Sequence, residues 1–161
     1  MDSYRCRVTV YYQPTLCHDW YHHDLPLFRT TSKGRYYTPD FLLKIHHEGQ
    51  KPVYIVLDAK YTSQRNLLFS QNTGDHYTMS TLEEIILKYF FQLASTDGSG
   101  IKAVWILQGR MDGAQRHHYH DSNLSKKHPP LMRCGIIPVN TQDKATLLWE
   151  EIGKELESPP R

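Results

Sequence analysis

Two apolar runs only a few residues apart constrain this chain more than any other feature. Residues 36–47 (YYTPDFLLKIHH) and 52–61 (PVYIVLDAKY) are rich in β-formers, and the EGQK between them holds a glycine. The pair predicts a β-hairpin. Side chains alternate across a strand, so Phe41, Leu43 and Ile45 share one face of the first run, and Asp40 and Lys44 the other. In the second run Val53, Ile55, Leu57 and Ala59 share one face, Asp58 and Lys60 the other. A loop of odd length, such as residues 47–51, pairs residues of equal parity. That register sets Phe41, Leu43 and Ile45 against Val53, Ile55 and Leu57 as core. It also brings Asp40, at the start of one strand, beside Asp58 and Lys60 at the end of the other.

The rest of the chain supplies the layers such a hairpin needs. Residues 4–12 alternate polar and β-forming side chains and read as a first strand, ended by Pro14. Residues 14–34 form a long connection, and residues 62–79 are polar and irregular. Leu82, Ile85, Ile86, Tyr89, Phe90 and Leu93 make one helical apolar stripe. Ser80 and Glu83 form a capping box at its start, and Asp97-Gly98 ends it. Residues 101–107 and 133–139 read as strands, 109–132 as a polar loop, and 141–156 as an amphipathic helix. The order β-β-β-α-β-β-α predicts an α/β fold, a mixed sheet flanked by helices, in a single domain over residues 1–161. Met1 directly before a strand fits the C-terminal part of a longer protein. With 39% hydrophobic residues the chain can build one core. The N-terminus has no signal-peptide pattern and no apolar run can span a bilayer, so no membrane is expected. Three cysteines without CxxC spacing suit a reducing, cytoplasmic compartment. A net charge of +2 does not by itself predict a nucleic-acid partner.

The converging carboxylates have a chemical use. Two like charges held close are costly unless a cation lies between them. Mg²⁺ (or Mn²⁺) suits one or two carboxylates, a backbone carbonyl, waters and phosphate oxygens. Asp40, Asp58 and the Ala59 carbonyl are the expected metal ligands. Lys60 would orient or deprotonate a water, or donate to charge developing on a phosphorane-like transition state. The same three side chains also suit plain turn chemistry after Pro39 and an exposed ion pair at a strand end. Their position on a strand–turn–strand followed by a helix favours the catalytic reading.

At Asp40, Asp58 and Lys60 the sequence resembles the PD-(D/E)XK nuclease superfamily, and within it the McrC-like nuclease domains of McrBC-type restriction systems. The matching pieces are the T-P-D strand at 38–40, the V-L-D-A-K-Y strand at 56–61 and the helix over 85–93. An apolar strand over 103–107 and Gly135-Ile136-Ile137-Pro138-Val139 follow. The resemblance spans roughly residues 36–157. It implies a restriction-endonuclease-like fold and Mg²⁺-dependent hydrolysis of DNA phosphodiester bonds, leaving a 5′-phosphate and a 3′-hydroxyl. An AAA+ NTPase motor or a fused recognition domain is the implied partner, and restriction or anti-phage defence the implied setting. Cutting both strands calls for two sites, hence a homo-oligomer. Superfamily members usually carry an acidic residue on a helix before the first strand. Here only Asp19 and Asp24 can substitute for it.

Other residues extend the reading toward nucleic acid. Lys44 lies on the site face by parity. Gln92 flanks the helical stripe at a place where superfamily members reach the site or the DNA backbone, whereas Tyr89 fits the core. Arg116, Lys126 and Lys127 belong to a basic loop that suits phosphate tracking or plain solvation. The histidine clusters at 18–23 and 117–120 lack zinc-site spacing. No glycine-rich phosphate loop or nucleophile elbow occurs. The rival to an active nuclease is an inactive module of the same fold that binds nucleic acid or a protein partner. A histidine-rich metal-binding protein is a third reading.

Overall fold

The computed structural model describes residues 6–18, 25–31, 36–69, 71–74, 76–109, 117–118, 133–139 and 142–157. In chain order the elements are β1 (Cys6–Tyr12), β2 (Leu27–Arg29), β3 (Phe41–His47), β4 (Val53–Lys60) and α1 (Gln64–Leu68). Then come β5 (Gln71–Thr73), β6 (His76–Thr78), α2 (Thr81–Ile86), a π-helical turn (Leu87–Phe91) and β7 (Leu93–Ser95). The last are β8 (Gly100–Gln108), β9 (His117–His118), β10 (Arg133–Pro138) and α3 (Gln142–Glu157). Five long strands make a mixed sheet in the order β1-β3-β4-β8-β10, with the two-residue β9 beyond β10. β1, β3 and β4 are antiparallel, whereas β4, β8 and β10 run parallel.

The hairpin has the equal-parity register. Phe41 pairs with Leu57, Leu43 with Ile55 and Ile45 with Val53. Gly49 takes the positive φ of its turn, at +78°. The sheet buries both faces. Leu43, Ile45, Ile55, Leu57, Ala103, Trp105 and Ile137 pack with Ile152 of α3. Leu42, Tyr54, Val56, Val104, Ile106 and Ile136 pack with Leu82, Ile85, Ile86 and Tyr89 of the α2 segment. A β–α–β crossover that returns to a parallel strand requires such two-sided cover.

Several expected boundaries move, each for a local reason. β3 begins at Phe41 rather than at residue 36, because Pro39 has no N–H to give a ladder. Tyr37 instead bridges to Leu16. The connection over 14–34 contains β2, which pairs with β7. The irregular stretch 62–79 contains α1, capped by the Ser63 hydroxyl, and the small hairpin β5–β6. The capping box at Ser80 and Glu83 forms as expected. The helix, however, does not run on to Asp97. It widens into the π turn and stops at Gln92, so Leu93 is buried as a strand residue of β7. Among the described residues no helix is long and apolar enough to cross a membrane.

Candidate active site

The carboxyl ends of the parallel strands of an open α/β sheet are where such folds bind ligands, and Asp58 and Lys60 stand at that end of β4. Asp40 reaches them from the start of β3. Its backbone carbonyl accepts from the Gln13 N–H at 2.9 Å. Its carboxylate Oδ2 accepts the Ala59 N–H at 2.7 Å. In an extended strand the N–H and C=O of one residue face the same neighbour. The Ala59 carbonyl is therefore directed to the Asp40 side, while the next residue faces the other way. The Lys60 carbonyl accordingly accepts the Gly109 N–H after β8, at 3.1 Å. Val139 N–H donates to the Gln108 carbonyl, and the Gln108 side chain donates to Thr62 O at 2.9 Å. The ends of β4, β8 and β10 are thus tied into one rim.

Asp58 is buried, with 4% of its surface exposed. A carboxylate in that position costs free energy unless donors meet it. Lys60 Nζ donates to Oδ1 as a charge-assisted pair, and Tyr89 Oη donates to Oδ2 at 3.0 Å. Lys60 itself is half-exposed at the rim. Burial, then the Asp58 charge and its hydrogen bond, push the Tyr89 hydroxyl far above its ordinary value, so it stays a donor. Tyr89 therefore serves both readings weighed from the sequence: its ring is core, and its hydroxyl fixes Asp58.

A layer of aromatic and cationic groups adjoins the carboxylates. The Lys88 ammonium lies 4.7 Å from the centre of the Tyr89 ring and 5.0 Å from that of Tyr37. The Arg29 guanidinium lies 4.1 Å from the Tyr37 ring centre. Tyr37 Oη donates to Gln92 Oε1. Burial lowers the Lys88 pKa. Asp58 acts against that shift, Lys60 and Arg29 add to it, and Asp40 opposes it again. Lys60 and Lys88 thus act on the two carboxylates, with Arg29 buried against Tyr37.

Of the residues singled out from the sequence, Asp40, Asp58, Ala59 and Lys60 come together. Gln92 lies one layer away and spends its side-chain oxygen on Tyr37. Lys44 does not join them. It shares the face but pairs with Tyr54, four residues down β3 from Asp40, roughly 13 Å at the rise of a strand. Arg116, Lys126 and Lys127 lie outside the described residues, as do Asp19 and Asp24. Among the described residues no group of three histidine, cysteine, aspartate or glutamate side chains is placed to share a metal ion. His18 uses its Nδ1 on the Arg29 carbonyl, 3.0 Å away.

Sequence reasoning missed Arg29, Tyr37 and Lys88. Arg29 sits in a stretch without periodicity, and Tyr37 falls within a run that reads as strand. Lys88 falls off the helical stripe and lies in the π turn, which gives one turn an extra residue. A scan against protein-family models and a search of curated proteins both find no match to this chain.

Proposed function

We propose that this chain is a divalent-metal-dependent endonuclease domain with a restriction-endonuclease-like fold, hydrolysing DNA phosphodiester bonds. The observation that carries the proposal is the meeting of Asp40, Ala59, Asp58 and Lys60 at one rim, tied by the Ala59–Asp40 and Lys60–Asp58 hydrogen bonds. Two carboxylates and a carbonyl suit Mg²⁺ or Mn²⁺, ions that keep several waters and take phosphate oxygens as further ligands. When bound, such an ion polarises the phosphate and yields a nucleophilic water near neutral pH.

The chain's own residues do the rest. Asp40 and Asp58 supply the negative charge that holds the ion, and Tyr89 keeps Asp58 in one orientation. Lys60 orients the attacking water or donates to the oxygen on which charge develops. Water adds to phosphorus in line with the 3′ oxygen, the P–O3′ bond breaks, and the departing oxygen takes a proton. The products are a 5′-phosphate and a 3′-hydroxyl. A role as effector of a restriction or anti-phage system, an AAA+ motor or fused recognition domain as partner, and a homo-oligomeric state rest on the resemblance alone.

The test is supercoiled plasmid incubated with the protein and Mg²⁺ or Mn²⁺, beside Asp58→Ala and Lys60→Ala. Nicking or linearisation by the wild type, lost in both variants and in EDTA, is the expected result. A well-folded wild type that leaves the plasmid intact in both metals overturns the catalytic reading.

A further inference from the structure

We propose that Lys88, held between the rings of Tyr37 and Tyr89, is a second phosphate-binding point of this site, taking a backbone phosphate of the nucleic-acid strand. The inference rests on the nuclease reading for its substrate class. Its geometry is independent of the metal. Among the described residues the Lys88 ammonium forms no hydrogen bond and no ion pair; its only close partners are two aromatic faces. A half-buried ammonium with carboxylates near it but none in direct contact is an expensive arrangement for a chain to keep. Lys60, by contrast, already has a carboxylate partner in Asp58.

The surroundings show what the group is held for. Arg29 is buried, with 1% of its surface exposed, so it cannot meet a polymer. It stacks on the far partner, Tyr37, and donates to Thr31 Oγ1 at 3.1 Å. Gln92 fixes the Tyr37 hydroxyl. Tyr89 is fixed by Asp58. Both rings that hold Lys88 are therefore anchored at their hydroxyls. Lys88 itself is only half-buried, on a four-carbon stem that can carry the charge outward. A phosphate is a ligand that such a point charge can meet directly, and the strand entering the site presents one at each nucleotide.

The experiment measures binding of a fluorescein-labelled DNA duplex by anisotropy, with Ca²⁺ in place of Mg²⁺, across a series of salt concentrations. Wild type, Lys88→Met and Lys88→Arg are compared, and circular dichroism checks that each is folded. Removing one phosphate contact reduces the slope of log K against log salt by about 0.9. Lys88→Met is expected to lose that slope and to bind about 5–10-fold more weakly at moderate salt, with Lys88→Arg close to wild type. A structural lysine would not move the salt slope. Equal slope and affinity in Lys88→Met, or no measurable duplex binding by the wild type, overturns the proposal. Plasmid cleavage by the same proteins separates the two claims. A cleaving wild type with an unchanged Lys88→Met retains the nuclease and removes the phosphate point. A non-cleaving wild type whose binding depends on Lys88 does the reverse.

Discussion

The two faces of the central sheet are built from the same strands and carry opposite chemistry. The face under α3 is apolar along its length, from Leu43 and Ile45 through Ile55 and Leu57 to Trp105 and Ile137. The face under α2 begins in the same way, with Leu42, Tyr54, Val56 and Ile106, and then ends in Asp58 and Lys60 with Asp40 beside them. A single step of strand parity separates a packing surface from a polar rim. Burial of apolar area is non-directional and tolerates small shifts. A buried carboxylate is not tolerant, because each oxygen must keep a particular donor. Changes on the apolar face should therefore touch stability alone, and changes at the rim activity as well.

That division can be broken experimentally. Lys60→Ala should reduce cleavage by about 10²–10³-fold. Its loss also leaves the buried Asp58 Oδ1 without its charged donor, so stability should fall by about 1.5–3 kcal/mol in denaturant unfolding. Trp105→Ala on the opposite face should cost stability alone. Truncating a fully buried tryptophan costs about 3–5 kcal/mol, with cleavage per folded molecule unchanged. A Trp105 variant that is stable but inactive would erase the distinction between the faces.

Tyr89→Phe sharpens the comparison because the ring of this residue is core and its hydroxyl belongs to the rim. The ring stays in the core while the donor to Asp58 is lost, so about 1.5–3 kcal/mol of stability should go. Activity should fall with it, as Asp58 loses its orientation. Equal stability of Tyr89→Phe and wild type would show that Asp58 does not depend on this bond.

The smallest effect concerns pH. The Lys88 pKa is lower in the folded chain than its ordinary value of 10.5, so the unfolded state binds more protons between the two values. Lys88 thus penalises folding when protonated, and stability rises with pH as that penalty is relieved. Tyr54 and Tyr89 act in the opposite sense: burial raises both, and the stability they add is lost as pH rises above 10.0. Subtracting the profile of Lys88→Met from that of the wild type isolates the lysine. The variant should melt higher at neutral pH and lose that advantage in alkali. A lower melting temperature would mean that Lys88 stabilises the fold.

Much of this arrangement was legible in the residues themselves. The hairpin register followed from loop length and alternation. The convergence of Asp40 with Asp58 and Lys60 followed from the register. What was not legible depended on tertiary contacts. Arg29 and Tyr37 come from connections whose local sequence has no period, and β2 forms only because β7 lies beside it. The helical stripe over 82–93 reads as one continuous helix. The helix instead widens into a π turn that holds Lys88 and stops at Gln92, and periodicity carries no signal for that change.

The most direct test of the central claim, that Asp40 and Asp58 together form a metal-holding rim, is a calorimetric titration of Mn²⁺ into the wild type, Asp40→Asn and Asp58→Asn. The account predicts one saturable site in the wild type, weakened at least tenfold in each variant while all three remain folded. Equal Mn²⁺ binding by both variants, or no uptake by the wild type, would contradict it.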